Sequence, residues 1–404
     1  MLLTHLSLTN FRNFARLDVD VPGGQVLLVG GNAQGKTSLL EAVYFLSTFV
    51  SFHAANERQL INFIAGREPL VVARIVADFS LTNPLSPSTH RLEVRLIQEE
   101  NGHENTPRLR KEILLDGVKR KMGEAIGTFH AVLFLPQMLQ VVEGSPEERR
   151  RYLNLAMGQV IPNYAAYLSV FAKALSQRNA LLKQLGERGG DLQQLAYWDD
   201  QIAEVGARII HARIRAVQEL ERLAARMHSE LTHGNEVLRV AYLPSYDPLP
   251  RPSKQFVLPM DSPLDRTGIP LDKIRQGFME CLEGLRNEEI IRGVTTIGPH
   301  RDDLRFMSNG IDLGIYGSRG QGRTAVMALK LAEVAWILEK SGQHPVLLLD
   351  EVLAELDPAR RADLLSRLAE SEQTLLTTTD LNLYEEKFIR RTKIWNIQGG
   401  RILA

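Results

Sequence analysis

A chain of 404 residues is longer than one hydrophobic core usually serves, so two domains are the starting expectation. Lysine plus arginine equals aspartate plus glutamate at 48 each, so the overall balance gives no sign of a polyanionic partner, and any nucleic-acid site must come from local clusters. The lone cysteine, Cys281, excludes an intrachain disulfide and any metal site built from several thiolates of one chain, and reads as a buried structural thiol. No apolar run reaches the length of a membrane span, and Met1 to His5 leads into an alternating strand pattern rather than a cleavable signal, so a cytoplasmic location is expected.

The first strong chemical signal follows the apolar run Val26 to Val29, which suits a buried parallel strand. Gly30-Gly31-Asn32-Ala33-Gln34-Gly35-Lys36-Thr37 meets the G-x-x-x-x-G-K-[ST] spacing, and Ser38 to Leu46 behind it has helical character. Glycines let backbone N–H groups turn inward around phosphate oxygens, and Lys36 supplies a point charge to the β- and γ-phosphates. Thr37 can complete the shell of a Mg²⁺ ion, and Ser38 opens the helix at the phosphates. The bland alternative is a glycine turn that happens to precede a lysine. With both flanks in place the expected ligand is a nucleoside triphosphate, ATP.

From Leu70 to Leu115 the pattern changes to strands: Val72 to Phe79, Leu92 to Ile97, and Lys111 to Leu115 running into a turn at Asp116-Gly117. These are expected to form an antiparallel sheet beside the nucleotide core, with residues 83–90 and 98–108 as mobile hairpin loops. From Ser145 the pattern is helical. Ser145 with Glu148 reads as a capping box and Pro146 fits the first helical position. Arg149-Arg150-Arg151 spreads over nearly a full turn, as a solvated or ion-paired face or as phosphate contacts. Helices are expected over Tyr164 to Leu185 and Asp191 to Leu231. Pro244, Pro248, Pro250, Pro252, Pro259, Pro263 and Pro270 then break any long helix, which excludes a long coiled-coil arm and favours a compact helical lobe.

The second half of a nucleotide site is expected at Val346-Leu347-Leu348-Leu349-Asp350-Glu351. Asp350 would take Mg²⁺, and Glu351 would orient or deprotonate the attacking water. Ahead of it lies Gly317 to Thr324, a helix start of small polar residues, then the helical stretch Ala325 to Lys340. Alone such a loop is usually only a connection. Its place between a phosphate loop, a long insertion and an Asp-Glu strand matches the plan of ABC-type ATPases. The expected fold is therefore an α/β, ABC-type P-loop ATPase head with an inserted α-helical arm. The head would comprise residues 1–143 and 290–404, and the arm residues 144–289.

The chain also resembles the RecF family, bacterial recombination and gap-repair ATPases related to SMC proteins. The resemblance rests on Leu6 to Phe14, Leu40-Glu41-Ala42-Val43-Tyr44, Ser51-Phe52, Ser145 to Leu153, Gln177 to Lys183 and Gly298-Pro299-His300-Arg301-Asp302-Asp303. Three positions depart from the family pattern: Gln137-Met138 stands where many members carry an acidic pair, His53 where arginine is common, and Glu351 where aspartate is common. The longer carboxylate is the usual catalytic base of ABC ATPases. By resemblance, Arg12 reaches the phosphates, and Gln137 is either a glutamine near the γ-phosphate or a surface residue. Ser318, Gly320 and Gln321 of one subunit would close on the ATP held by another, with Asp357 joining the two sites.

The resemblance further implies slow, DNA-stimulated ATP hydrolysis, an ATP-dependent homodimer, and DNA at junctions of double and single strands. RecR, acting with RecO, is the implied partner in loading the recombinase. Arg108 to Lys111, Lys119 to Lys121, Arg149 to Arg151 and Arg390 to Lys393 are the local basic clusters that permit DNA contact. Two other readings compete: the ATPase subunit of a membrane transporter, and a scaffold that binds ATP and DNA without turnover. A transporter subunit usually carries a histidine where Asp380 follows Leu375 to Thr379. Whether Gln137 or Asp380 senses the γ-phosphate, and whether His300-Arg301 forms a structural turn or a functional loop, stay open in the sequence.

Overall fold

The computed structural model describes residues 1–81, 88–99, 108–249, 264–368 and 371–403, with only the backbone of residues 355 and 359. Most of the two expected hairpin loops, and Pro250, Pro252, Pro259 and Pro263, lie outside the described residues. The chain divides into two units, Met1–Met138 with Ile337–Ala404, and Leu139–Trp336. Residues 290–336, grouped with the head by sequence, fall in the second unit, because their strands pair with strands of the inserted segment.

In the first unit, β1 (Leu2–Phe11) and β2 (Phe14–Asp20) form a hairpin whose tight turn holds Arg12 and Asn13. The apolar run becomes β3 (Gly24–Val29), and the glycine loop passes into α1 (Lys36–Thr48). Next come β4 (Leu70–Leu81), β5 (Ser88–Glu99), β6 (Arg108–Leu115) and β7 (Val118–Arg120). They extend the hairpin into an antiparallel sheet of order β2-β1-β4-β5-β6-β7. Alternation decides its two faces. Leu6, Leu8, Ile75, Ala77, Leu92, Val94 and Ile113 are buried in the core, while Arg74, Arg95 and Glu93, and Asp78 with Arg91, pair on the other face. β8 (Ala131–Phe134) then enters a second sheet before the chain leaves the unit.

The first long helix of the second unit is α2 (Pro146–Val160). Ser145 Oγ accepts from the Glu148 N–H at 3.5 Å, so one half of the expected capping box forms. The amphipathic helices α3 (Tyr164–Arg188) and α4 (Gln194–Leu231) pack with a helix the sequence reading missed, α5 (Leu271–Arg292). It begins directly after Pro270, and the density of prolines before it masked its start. Cys281 lies on the solvent side of α5, so the expected burial of this thiol is corrected. A small sheet of order β11-β10-β9 joins β9 (Leu238–Leu243), β10 (Asp303–Ser308) and β11 (Ile311–Asp312). The helix α6 (Arg319–Ser341) contains the boundary between the units.

Back in the first unit are β12 (Val346–Asp350), α7 (Pro358–Leu368), β13 (Gln373–Thr378), β14 (Lys393–Gln398) and β15 (Arg401–Leu403). The second sheet has the order β15-β14-β3-β13-β12-β8, parallel from β14 to β8. Residues 346–349 of β12 and 26–28 of β3 are buried and accordingly read as apolar runs, while β13 is equally buried with Gln373, Thr374, Thr377 and Thr378 among its residues. The insertion thus leaves and re-enters one sheet between neighbours β8 and β12. No helix among the described residues is long and apolar enough to cross a membrane.

Candidate nucleotide site

β3, β13 and β12 end side by side, and the chemistry gathers beyond their carboxyl ends, where parallel sheets place ligands. The loop after β3 fits because two glycines make room. A Cβ on Gly30 would sit 2.4 Å from the Ile397 carbonyl oxygen, and Gly35 has φ +117° with Asn13 and Phe14 pressed against it. Lys36 is buried; its Nζ donates to the carbonyls of Gly30 at 2.8 Å and Gly31 at 3.0 Å and lies 3.4 Å from Glu351 Oε1. The ammonium is thus fixed within the curve of the loop, with Thr37 and Ser38 behind it at the first turn of α1.

At the end of β12, both Asp350 carboxylate oxygens accept from Thr37 Oγ1, at 2.9 and 3.0 Å. Burial raises the Asp350 pKa above its ordinary value, opposed by the hydroxyl hydrogen bonds from Thr377 and Thr37 and by Lys36. Thr377, unassigned by the sequence reading, is the register partner of Asp350 on β13. Its Oγ1 donates to Asp350 Oδ1 at 2.8 Å and accepts from the Glu351 N–H at 3.0 Å. The threonines that follow Leu375-Leu376 at the end of β13 were the available signal. Glu351 itself has φ +53°, a left-handed conformation that a non-glycine residue adopts at some cost.

No group of three or more His, Cys, Asp or Glu among the described residues forms a metal cage. Thr37 and Asp350 together offer hard oxygen ligands and leave most of the shell to phosphate and water, which fits Mg²⁺ rather than a softer or more fully caged ion. When bound there, Mg²⁺ would neutralise charge on the phosphates.

These groups open into a cleft of about 910 Å³, lined by Arg12, the Asn32-to-Ser38 segment, Glu41, His53, Ile61, Phe63, Ile64, Gln137, Asp350 and Glu351, among others. Gln137 is exposed on its wall. Asp380 is spent locally, its carboxylate accepting from the Asn382 N–H at 2.8 Å. Asp357 caps α7, accepting from the Arg360 N–H at 3.0 Å and pairing with its guanidinium at 2.6 Å.

The second unit holds the other predicted loop. Ser318 is exposed; its N–H donates to Gln321 Oε1 at 3.1 Å and its Oγ accepts from the Gln321 N–H at 3.2 Å, a reciprocal cap at the start of α6. Nothing lies nearer than 3.9 Å to where a Gly320 Cβ would stand, so the backbone there is open to close approach. The Gly298-to-Asp303 hexapeptide is a structural turn. Asp302 accepts from Arg213 at 2.8 Å, from the Ser245 N–H at 2.9 Å and from Tyr242, and Asp303 pairs with Arg149 at 2.6 Å. His300 packs on Phe171 with Nε2 3.1 Å from the Thr295 carbonyl, while Arg301 is exposed.

Of the basic clusters, Lys111, Lys119, Arg149 and Arg390 are tied to Glu57, Glu112, Asp303 and Glu386. Arg108, Arg120, Lys121, Arg391 and Lys393 are exposed and form no ion pair with a described residue.

A phosphate loop, an Asp-Glu strand and a serine-capped helix on this sheet order define an SMC-like ATPase head of the ABC type. The RecF/RecN/SMC N terminal domain matches residues 2–398. Proteins named DNA replication and repair protein RecF from Roseiflexus castenholzii and Bacillus subtilis are 38% and 34% identical to this chain, covering all of it and 99% and 100% of their own lengths. A solved RecF–ATP structure, described as a recombination mediator protein in the RecFOR pathway, is 31% identical with TM-score 0.81, covering 100% of this chain and 97% of its own. The Smc head domain of Pyrococcus furiosus, 16% identical with TM-score 0.51 over 99% of this chain and 95% of its own, shares the fold. The chain belongs to the RecF family.

Proposed function

We propose that the protein is an ATP-gated DNA clamp of recombinational gap repair, a cytoplasmic ATPase. The observation that carries this reading is the meeting of Lys36, Thr37, Asp350 and Glu351 beyond the ends of β3 and β12, the two strands that flank β13. The names of the relatives support the repair context.

The loop from Gly30 to Ser38 holds the triphosphate by its backbone N–H groups and Lys36, and Thr37 and Asp350 hold Mg²⁺. Glu351 is the carboxylate that orients or deprotonates the attacking water, with Gln137 on the same wall. A second subunit completes the site: its Ser318, Gly320 and Gln321 bring hydroxyl and amide donors and the positive end of α6 to the γ-phosphate, and its Asp357 joins the two sites. Hydrolysis removes the group being gripped, and the dimer releases DNA bound at a junction of double and single strands. RecR, acting with RecO, is the partner on that DNA in loading the recombinase.

Sedimentation with and without ATP tests this. Wild type should dimerise with ATP, Glu351→Gln should accumulate as an ATP-bound dimer with slowed hydrolysis, and Ser318→Arg should bind ATP yet remain monomeric. A Glu351→Gln protein unchanged in both assembly and turnover would mark a passive scaffold instead.

A further inference from the structure

Arg12, Glu41 and Ser51 come from the β1–β2 turn, from α1 and from the segment after it, and they meet in one hydrogen-bonded chain. Arg12 has φ +52°; its N–H donates to the Leu60 carbonyl at 2.7 Å and its carbonyl accepts from Asn62 Nδ2 at 2.7 Å. Its Nε and Nη2 donate to the two carboxylate oxygens of Glu41 at 2.7 and 2.8 Å, and Nη1 donates to the Gln59 carbonyl at 2.9 Å. The Glu41 side chain is 2% exposed and accepts a further bond from Ser51 Oγ at 2.5 Å. Ser51 Oγ is itself fixed by the N–H groups of His53 at 3.0 Å and Ala54 at 2.6 Å.

A buried carboxylate is costly unless paired and fully bonded, so this arrangement fixes the plane of the guanidinium and not only its charge. A guanidinium carries five N–H groups, and those three bonds use one each. Two remain, on the terminal nitrogens of a side chain that lines the same cleft as Gly35, Lys36 and Thr37.

We propose that Glu41 and Ser51 are positioning residues that aim the two unused N–H groups of Arg12 at the phosphate chain of a bound nucleotide. They also tie that grip to residues 51–64, the far wall of the cleft. The proposal rests on the nucleotide-binding reading of the cleft. Because the fork must satisfy Glu41 and phosphate together, lysine cannot replace arginine at position 12.

Equilibrium binding of a fluorescent ATP analogue with Mg²⁺, alongside thermal midpoints, tests it. Arg12→Ala and Arg12→Lys should each weaken binding about tenfold, Glu41→Gln nearly as much, and Ser51→Ala by about threefold. The double variant Arg12→Ala/Glu41→Gln should bind no more weakly than Arg12→Ala alone, because Glu41 acts through Arg12. A folded Glu41→Gln protein with wild-type affinity, or losses that multiply in the double variant, would overturn the proposal. Should Glu41→Gln fail to fold, unchanged affinity in Ser51→Ala overturns it equally. Lys36→Ala is the separate control: if it leaves binding intact, the nucleotide reading fails, whatever the Arg12 variants do.

Discussion

Arg213 in the second unit and Lys36 in the first are 1% and 4% exposed, yet their surroundings differ in kind. Arg213 donates to Tyr164 at 3.1 Å, to Asn154 at 3.0 Å, to the Pro299 carbonyl at 2.6 Å and to Asp302 at 2.8 Å, and every one of its nitrogens is occupied. Arg178, also fully buried, is held by Asp199 through Nε and by Glu289 and Thr295 through Nη1. Lys36 is held by two loop carbonyls beside Glu351, on the floor of an open cleft. A saturated buried cation fixes a fold; a buried cation lining an open cleft is kept available for an anion that comes and goes. Removing a partner should therefore cost stability in one unit and ligand affinity in the other.

The sharpest break of that contrast is Asp302→Ala. It leaves Arg213 without its counter-charge and should cost about 3–5 kcal/mol in urea unfolding, with nucleotide affinity of the surviving folded protein unchanged. Lys36→Ala should do the reverse, weakening ATP binding on the order of a hundredfold while the unfolding midpoint stays close to wild type. Thr377→Val probes a subtler position, since it removes the hydroxyl shared by Asp350 and the Glu351 N–H. Mg²⁺-dependent nucleotide affinity measured by titration should fall by about tenfold.

The smallest effect is expected on the outer face of the antiparallel sheet, where the pair is structural but wet. Hydrogen bonding from Arg74, then Arg95, holds Glu93 down at about 2, below the ordinary 4.5. Its stabilising contribution is present above the ordinary value and is lost as pH falls from there through about 2. Glu93→Gln should flatten the acid side of the stability profile in urea melts, by less than about 1 kcal/mol because both arginines are water-exposed.

The phosphate loop, its flanking strand and helix, and the Asp350-Glu351 strand were legible because each is a contiguous run whose residue types have few other uses. Thr377, Glu41 as the partner of Arg12, and Ser51 as the partner of Glu41 were not, since their roles exist only through contacts made across 27, 29 and 10 positions of chain. Glu41 and Ser51 stood out as family motifs without a stated task. Asp302 was likewise visible as a motif, but its burial against Arg213, 89 residues away, could not be read from sequence. The helix after Pro270 was hidden by composition: a proline-rich approach resembles a loop until the chain is seen to turn helical just behind it.

The strand order of the parallel sheet bears on how the protein is made. β3 emerges early from the ribosome, but both of its sheet neighbours, β13 and β14, lie between residues 373 and 398. Until those residues are translated, the segment that leads into the lysine loop has no ladder to join, and Asp350 lacks the Thr377 hydroxyl. A nascent chain stalled before residue 373 is therefore unable to hold ATP, however complete its helical insertion, and its unpaired apolar strand is a surface that chaperones recognise.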